Sequence, residues 1–82
     1  MKVYITKKAQ KELDKLPDPI ARIIVRSLQQ LEETPYPANS KKLQGRDNYR
    51  LRVGSFRAIY TVNKKEKEIT ILRVADRKTI YR

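Results

Sequence analysis

Cysteine and histidine are both absent from this 82-residue chain. Without a thiol there is no disulfide framework, no thiolate nucleophile and no cysteine–zinc site. Without an imidazole there is no histidine general base. Long apolar runs are missing as well. The N-terminal "MKVYITKKAQ" lacks the apolar stretch of a secretory signal, and no segment approaches the roughly 20 residues that span a membrane. A chain of this length reads as one domain over residues 1–82, burying about 60% of its unfolded surface. That leaves no space for a second catalytic domain or a large cofactor pocket. The expectation is a cytoplasmic protein with no membrane association, no cofactor and no metal.

What is present is positive charge, and it is uneven. The net charge is +11. Residues 1–40 hold seven Lys/Arg against five Asp/Glu, and residues 41–82 hold thirteen against four. A basic excess gathered into one half points to a polyanionic partner.

The pattern along the chain predicts an α+β domain. "KVYIT" (2–6) alternates and is rich in β-formers, which reads as a first strand. Thr6 is placed to cap a helix from Lys7 to about Lys15, with Ala9, Leu13 and Leu16 on its inner stripe and "LPDP" ending it. Asp18 reads as the next N-cap, with Pro19 at the first helical position. Ile20, Ile23, Ile24, Leu28 and Leu31 recur at helical spacing, which predicts a helix over 19–33. "TPYPANSKKLQGRDN" (34–48) reads as a turn-rich connector. Strands follow at 48–53, 56–62 and 68–74, the last two separated by the polar turn "NKKEKE", and "ADRKTIYR" closes the chain as an irregular or short helical turn. No repeat, linker or low-complexity segment interrupts it. The order is β-α-α-β-β-β, an antiparallel sheet with an N-terminal helical hairpin packed on one face.

The stretch "NYRLRVGSFRAIY" (48–60) concentrates the charge. With Gly54-Ser55 as a two-residue hairpin loop, Val53 lies opposite Phe56 and Arg52 opposite Arg57. Alternation then puts Tyr49, Leu51, Val53, Phe56, Ala58, Tyr60 and Val62 toward the helices. Arg50, Arg52, Arg57, Ile59 and Thr61 share the other face, for which no third layer exists, so that face is expected to be open. Opposed like charges destabilise a sheet, by about 1 kcal/mol for a pair near 4 Å in bulk water. Arginine in particular forks onto phosphate and stacks on bases. Such a patch, with Arg77 and Tyr81 just beyond the third of these strands, suits an RNA backbone.

The run from Lys42 to Arg82 resembles the C-terminal half of RelE-type toxins of toxin–antitoxin pairs. The matching pieces are "KLQG" (42–45), "YRLRVG" (49–54), "FRAIY" (56–60) and "RVADRKTIY" (73–81). The helical pair, including "KKAQKELDKLP", fits as well, so the resemblance spans nearly the whole chain. It implies a ribosome-dependent endoribonuclease that needs no metal. Such a toxin cuts mRNA in the ribosomal A site by attack of the RNA's own 2′-hydroxyl, and a cognate antitoxin restrains it. Carried over, Arg50 and Arg52 take the two basic positions of the first hairpin strand. Arg57 matches the residue that stabilises the transition-state phosphate. Arg77 matches the arginine assigned to leaving-group protonation or charge stabilisation. Tyr81 matches the tyrosine credited with base stacking or proton transfer. Lys41, Lys42, Arg46, Arg73, Lys78 and Arg82 are expected to contact mRNA or ribosomal RNA without sequence preference. Asp76 reads as an ion-pair partner of Arg77, and Lys64, Lys65 and Lys67 as a solvated turn.

Guanidinium stays protonated, with a pKa above about 12, so the arginines position and stabilise but do not take a proton. Some relatives carry lysine where this chain has Arg50 and Arg52, which leaves Tyr81 as the more plausible proton acceptor. Two other readings stay open: a ParE-like toxin that inhibits gyrase on the same fold, and a catalytically weak RNA-binding relative.

Overall fold

The N-terminal strand β1 (Lys2–Ile5) pairs in parallel with the last strand, β5 (Glu68–Asp76), from Lys2 opposite Glu68 to Ile5 opposite Ile71. A computed structural model describes residues 1–43 and 47–79. Among them the sheet has five strands in the order β1-β5-β4-β3-β2, where β2 is Ser40–Lys42, β3 Asn48–Val53 and β4 Phe56–Asn63. The α+β class and element order match the sequence reading. Two features add to it: the β1–β5 pair is parallel, and β2 lies inside what reads as a connector. Its "SKK" has no β-branched or aromatic residue to mark it. Backbone pairing to β3 makes it a strand, extended at both ends by Arg52 N–H to Asn39 O at 2.9 Å and Leu43 N–H to Asn48 O at 2.8 Å.

Helix α1 (Lys7–Asp14) begins as its sequence dictates. Thr6 Oγ1 accepts the Ala9 N–H at 3.2 Å and donates to Ile71 O at 2.9 Å, so one hydroxyl caps the helix and fixes it to β5. Helix α2 (Asp18–Gln30) starts differently from expectation. Asp18 is its first residue and not its cap, because the Pro17 carbonyl accepts the N–H groups of Ile20 and Ala21, both at 3.0 Å. Residues 31–33 continue as tight turns closed by bonds to the third residue back, which is why the apolar periodicity runs past Gln30.

The core lies between these helices and one sheet face. In register across the sheet, Leu51–Ala58–Val74 and Tyr60–Ile71 meet Ala9, Leu13, Ile24, Leu28 and Leu31, all of them buried. Ile71 and Val74 are an odd number of residues apart, yet both face inward. A bulge makes this possible: Ile59 is opposite Arg73 and Tyr60 opposite Ile71, so Leu72 has no counterpart. The parity change also turns Arg73 to the face away from the helices.

Candidate functional site

Directly opposed residues share a face, so register assigns the cations. Lys41, Arg50, Ile59 and Arg73 form one row across β2, β3, β4 and β5, and Arg52, Arg57 and Ala75 form the next. The expected pairs Val53–Phe56 and Arg52–Arg57 are both present. Gly54 has φ +60° and is the only glycine with positive φ among the described residues. Ser55 does not share that conformation, the pattern of a type II′ loop.

The arginine face is not uniformly open. Arg57 is only 9% exposed, and its Nη1 donates to Gly54 O at 3.0 Å and Phe56 O at 2.9 Å. A buried charge requires such partners, and the carbonyls of the hairpin end supply them. Ile59 is buried too, in register between Arg50 and Arg73, whose aliphatic stems suit an apolar neighbour. The expectation of a bare face fails at Arg57, whose guanidinium folds back onto the hairpin carbonyls, and at Ile59. Arg52 is exposed and Arg50 half-buried.

The same loop places Arg77. Its backbone N–H donates to Ser55 O at 3.0 Å, which brings the turn after β5 beside the hairpin end while the Arg77 side chain remains exposed. Gly54 and Ser55 thus organise two arginines through consecutive carbonyls. Asp76, expected to pair with Arg77, instead accepts the Lys78 N–H through Oδ1 at 2.9 Å and shapes the turn. Lys78 itself is exposed.

Other basic positions divide. Lys41 joins Arg50 and Arg52 around an open depression of about 230 Å³. Lys42 faces the other way, opposite Tyr49, with Nζ 3.9 Å from Asp47. Arg73 is held by Glu12 at 3.1 Å, while the second Glu12 oxygen accepts the Val74 N–H at 2.9 Å. Arg73 is therefore braced to α1 and only partly exposed. Arg46, Tyr81 and Arg82 lie outside the described residues.

Residues that sequence reasoning passed over support this arrangement. Asn39 Nδ2 donates to Arg52 O at 2.6 Å, answering the Arg52 N–H bond to Asn39 O. Its only sequence signal is a turn-type residue before a basic pair. Glu12 gives none, since an acidic residue on a charged helix normally faces water. Tyr60 Oη donates to Pro35 O at 2.7 Å, and burial pushes the phenol above its ordinary value despite an opposing hydrogen bond with Ser40. Among the described residues no three acidic side chains gather into a metal-binding group, and no helix is long and apolar enough to cross a membrane.

Comparison with known proteins places this geometry in a family. Residues 3–81 match the family described as ParE toxin of type II toxin–antitoxin system. The structure also superposes on a chain of the archaeal RelE–RelB complex from Pyrococcus horikoshii OT3 with a TM-score of 0.85 at 37% identity, covering 95% of this chain and 96% of that one. The protein is a type II toxin of the RelE/ParE superfamily. A chain of the Mycobacterium tuberculosis RelBE2 toxin–antitoxin complex is similar to this toxin at 28% identity, with a TM-score of 0.82 and coverage of 93% and 96%. The P. aeruginosa chromosomal ParDE system supplies a chain of the same fold, with a TM-score of 0.78 at 22% identity and coverage of 93% and 95%. No curated protein sequence matches the toxin.

Proposed function

We propose that this toxin is an mRNA endoribonuclease that acts in the ribosomal A site and so halts translation in the cytoplasm, restrained by a cognate antitoxin. The observation that carries the reading is the hairpin end. Arg57 is locked beside Arg52 across the strands, and Arg77 is anchored to the same loop. In the reaction, the 2′-hydroxyl loses its proton and bonds to the adjacent phosphorus, while the bond to the 5′-oxygen breaks and that oxygen gains a proton. Negative charge accumulates on the phosphoryl oxygens in between. A guanidinium held in place before RNA arrives stabilises that charge without reorganising. Arg52 and Arg50 hold the backbone in register for in-line attack, and Arg77 faces the leaving oxygen. None of these arginines accepts the proton, so in this scheme the phenolate form of Tyr81 takes it, and the 5′-oxygen draws its proton from water. No step requires a metal.

The similar Mycobacterium tuberculosis RelBE2 structure is a toxin–antitoxin complex, and the Pyrococcus horikoshii one is a RelE–RelB complex. For this chain, the arginine face suits an acidic antitoxin segment, and the helix grooves suit an amphipathic helix.

The test adds purified toxin to a cell-free translation reaction and maps mRNA ends by primer extension, beside naked RNA and an Arg57→Ala/Arg77→Ala control. Cuts confined to translating ribosomes, and lost in the control, are expected. Intact mRNA would overturn the reading. The match to the ParE family favours one second reading, inhibition of gyrase. Blocked supercoiling with uncut mRNA would establish it.

A further inference from the structure

One end of the helix-facing side carries a feature that the proposed reaction does not use. Tyr36 is 42% exposed and leans on Tyr49, with ring centroids 5.0 Å apart and planes at 54°. Tyr49 in turn stacks on buried Tyr60 at 5.5 Å and 24°. Lys64 Nζ stands 5.8 Å from the centroid of Tyr36. Tyr36, Tyr49, Lys42 and Lys64 line an open depression of about 550 Å³. Tyr49 and Tyr60 are explained by packing. Tyr36 is not, because it is an exposed ring held on a fixed stack between two lysines.

The edge strand β2 connects this depression to the arginine face. Lys41 and Lys42 are consecutive and point to opposite faces: Lys41 lines the depression with Arg50 and Arg52, and Lys42 lines the tyrosine depression. Among the described residues β2 is the outermost strand, so nothing in the sheet lies beyond it. A polyanion crossing that edge meets a cation on each side.

We propose that single-stranded RNA held on the arginine face crosses the β2 edge and stacks one base on Tyr36, with Lys42 and Lys64 on the flanking phosphates. The inference rests on reading the arginine face as an RNA site. A stacked aromatic with neighbouring cations is the general platform for single strands, and it tolerates any base because every base has a π-face. The contacts now occupying the site yield readily. Lys42 and Asp47 pair at 3.9 Å with side chains 60% and 98% exposed, an arrangement that contributes little to stability. Lys64 exchanges a ring for a phosphate.

The experiment is fluorescence anisotropy of a short, labelled single-stranded RNA with 2′-O-methyl groups, which cannot cleave itself. Tyr36→Ala is expected to weaken binding about tenfold, the loss typical of one stacked base, and Tyr36→Phe to restore it. Lys64→Glu, on an exposed turn, is expected to weaken binding as well, and circular dichroism checks that each variant is folded. Arg52→Ala should weaken binding while leaving the Tyr36-dependent factor in place. RNA affinity unchanged in Tyr36→Ala would overturn the proposal, as would loss of antitoxin binding alone in that variant. Ribosome-dependent mRNA cutting with Tyr36-independent binding would sink this site but not the nuclease. Tyr36-dependent binding by a toxin that cuts nothing would do the reverse.

Discussion

Arg57 and Arg52 face each other across the hairpin yet sit in different environments, and substitution should separate them. Removing the Arg57 guanidinium deletes two hydrogen bonds to Gly54 and Phe56 and leaves a buried space. Arg57→Ala should therefore lose about 1–3 kcal/mol of stability along with activity, whereas exposed Arg52→Ala should change stability by less than about 0.5 kcal/mol. Urea melts of the two variants check this, and equal midpoints would show that Arg57 is not held as described. From the sequence alone both arginines look like surface residues, since alternation gives the face of a side chain but not the depth of its shelter. Tyr60 offers a second residue-scale test. Its folded pKa is raised, so the folded state keeps a proton that the unfolded chain releases once pH passes the ordinary tyrosine value of about 10. The stability contributed by the neutral phenol is complete below that pH and falls as pH rises toward the folded value. Thermal melts from neutral pH into this alkaline range should decline less steeply for Tyr60→Phe than for the parent. The substitution also lowers stability by about 1 kcal/mol at neutral pH through the lost bond to Pro35. Parallel profiles would remove Tyr60 as a contributor.

Strand β5 is finished by a residue from another element. Beyond Ile71 its edge has no β1 partner, and Glu12 of α1 accepts the Val74 N–H and the Arg73 guanidinium there. Glu12→Ala leaves a half-buried backbone donor and loosens the bulge, and should cost about 1–3 kcal/mol. Arg73→Ala, which keeps the Val74 bond, should cost less, and chemical denaturation ranks the two. The reverse order would show that the ion pair outweighs the edge bond. Legibility at this scale follows how local the signal is. Helix α1 was readable because Thr6, Ala9 and Leu13 state cap and stripe within one segment, and β3–β4 because Gly54-Ser55 fixes the register on its own. Strand β2 was not readable, since "SKK" becomes a strand only by pairing with β3. The bulge left a trace, the parity change between Ile71 and Val74, but which residue is skipped depends on β4. The parallel partner of β1 lies more than sixty positions away, and no local pattern announces it. Within the site, the facing of Arg50, Arg52 and Arg57 was legible. The anchoring of Arg77 through Ser55 and of Arg73 through Glu12 was not, because each joins elements distant in sequence.

At the scale of the whole molecule, the basic half of the chain builds β2 to β5 and so carries the face proposed for RNA, while the nearly neutral half supplies β1 and the helices behind it. Charge and scaffold are divided along the chain, yet the sheet interlocks them, because β5 lies between β1 and β4. A chain ending at Asn63 leaves β1 without its partner and α1 without the carbonyl and amide groups it grips. It should show no cooperative thermal transition, and a sharp melt from that fragment would contradict this account. The same topology has a meaning in time. Synthesis proceeds at about 5–20 residues per second, so β1 emerges on the order of several seconds before the strand it must join. Until then the helices have half a core, the Gly54-Ser55 loop has no Arg77 to anchor, and the catalytic face proposed above does not exist. Under the proposed function, a ribosome making this toxin is protected from its own product until the last strand is out, and an antitoxin able to seize the open edge of β4 would meet it before it was ever armed.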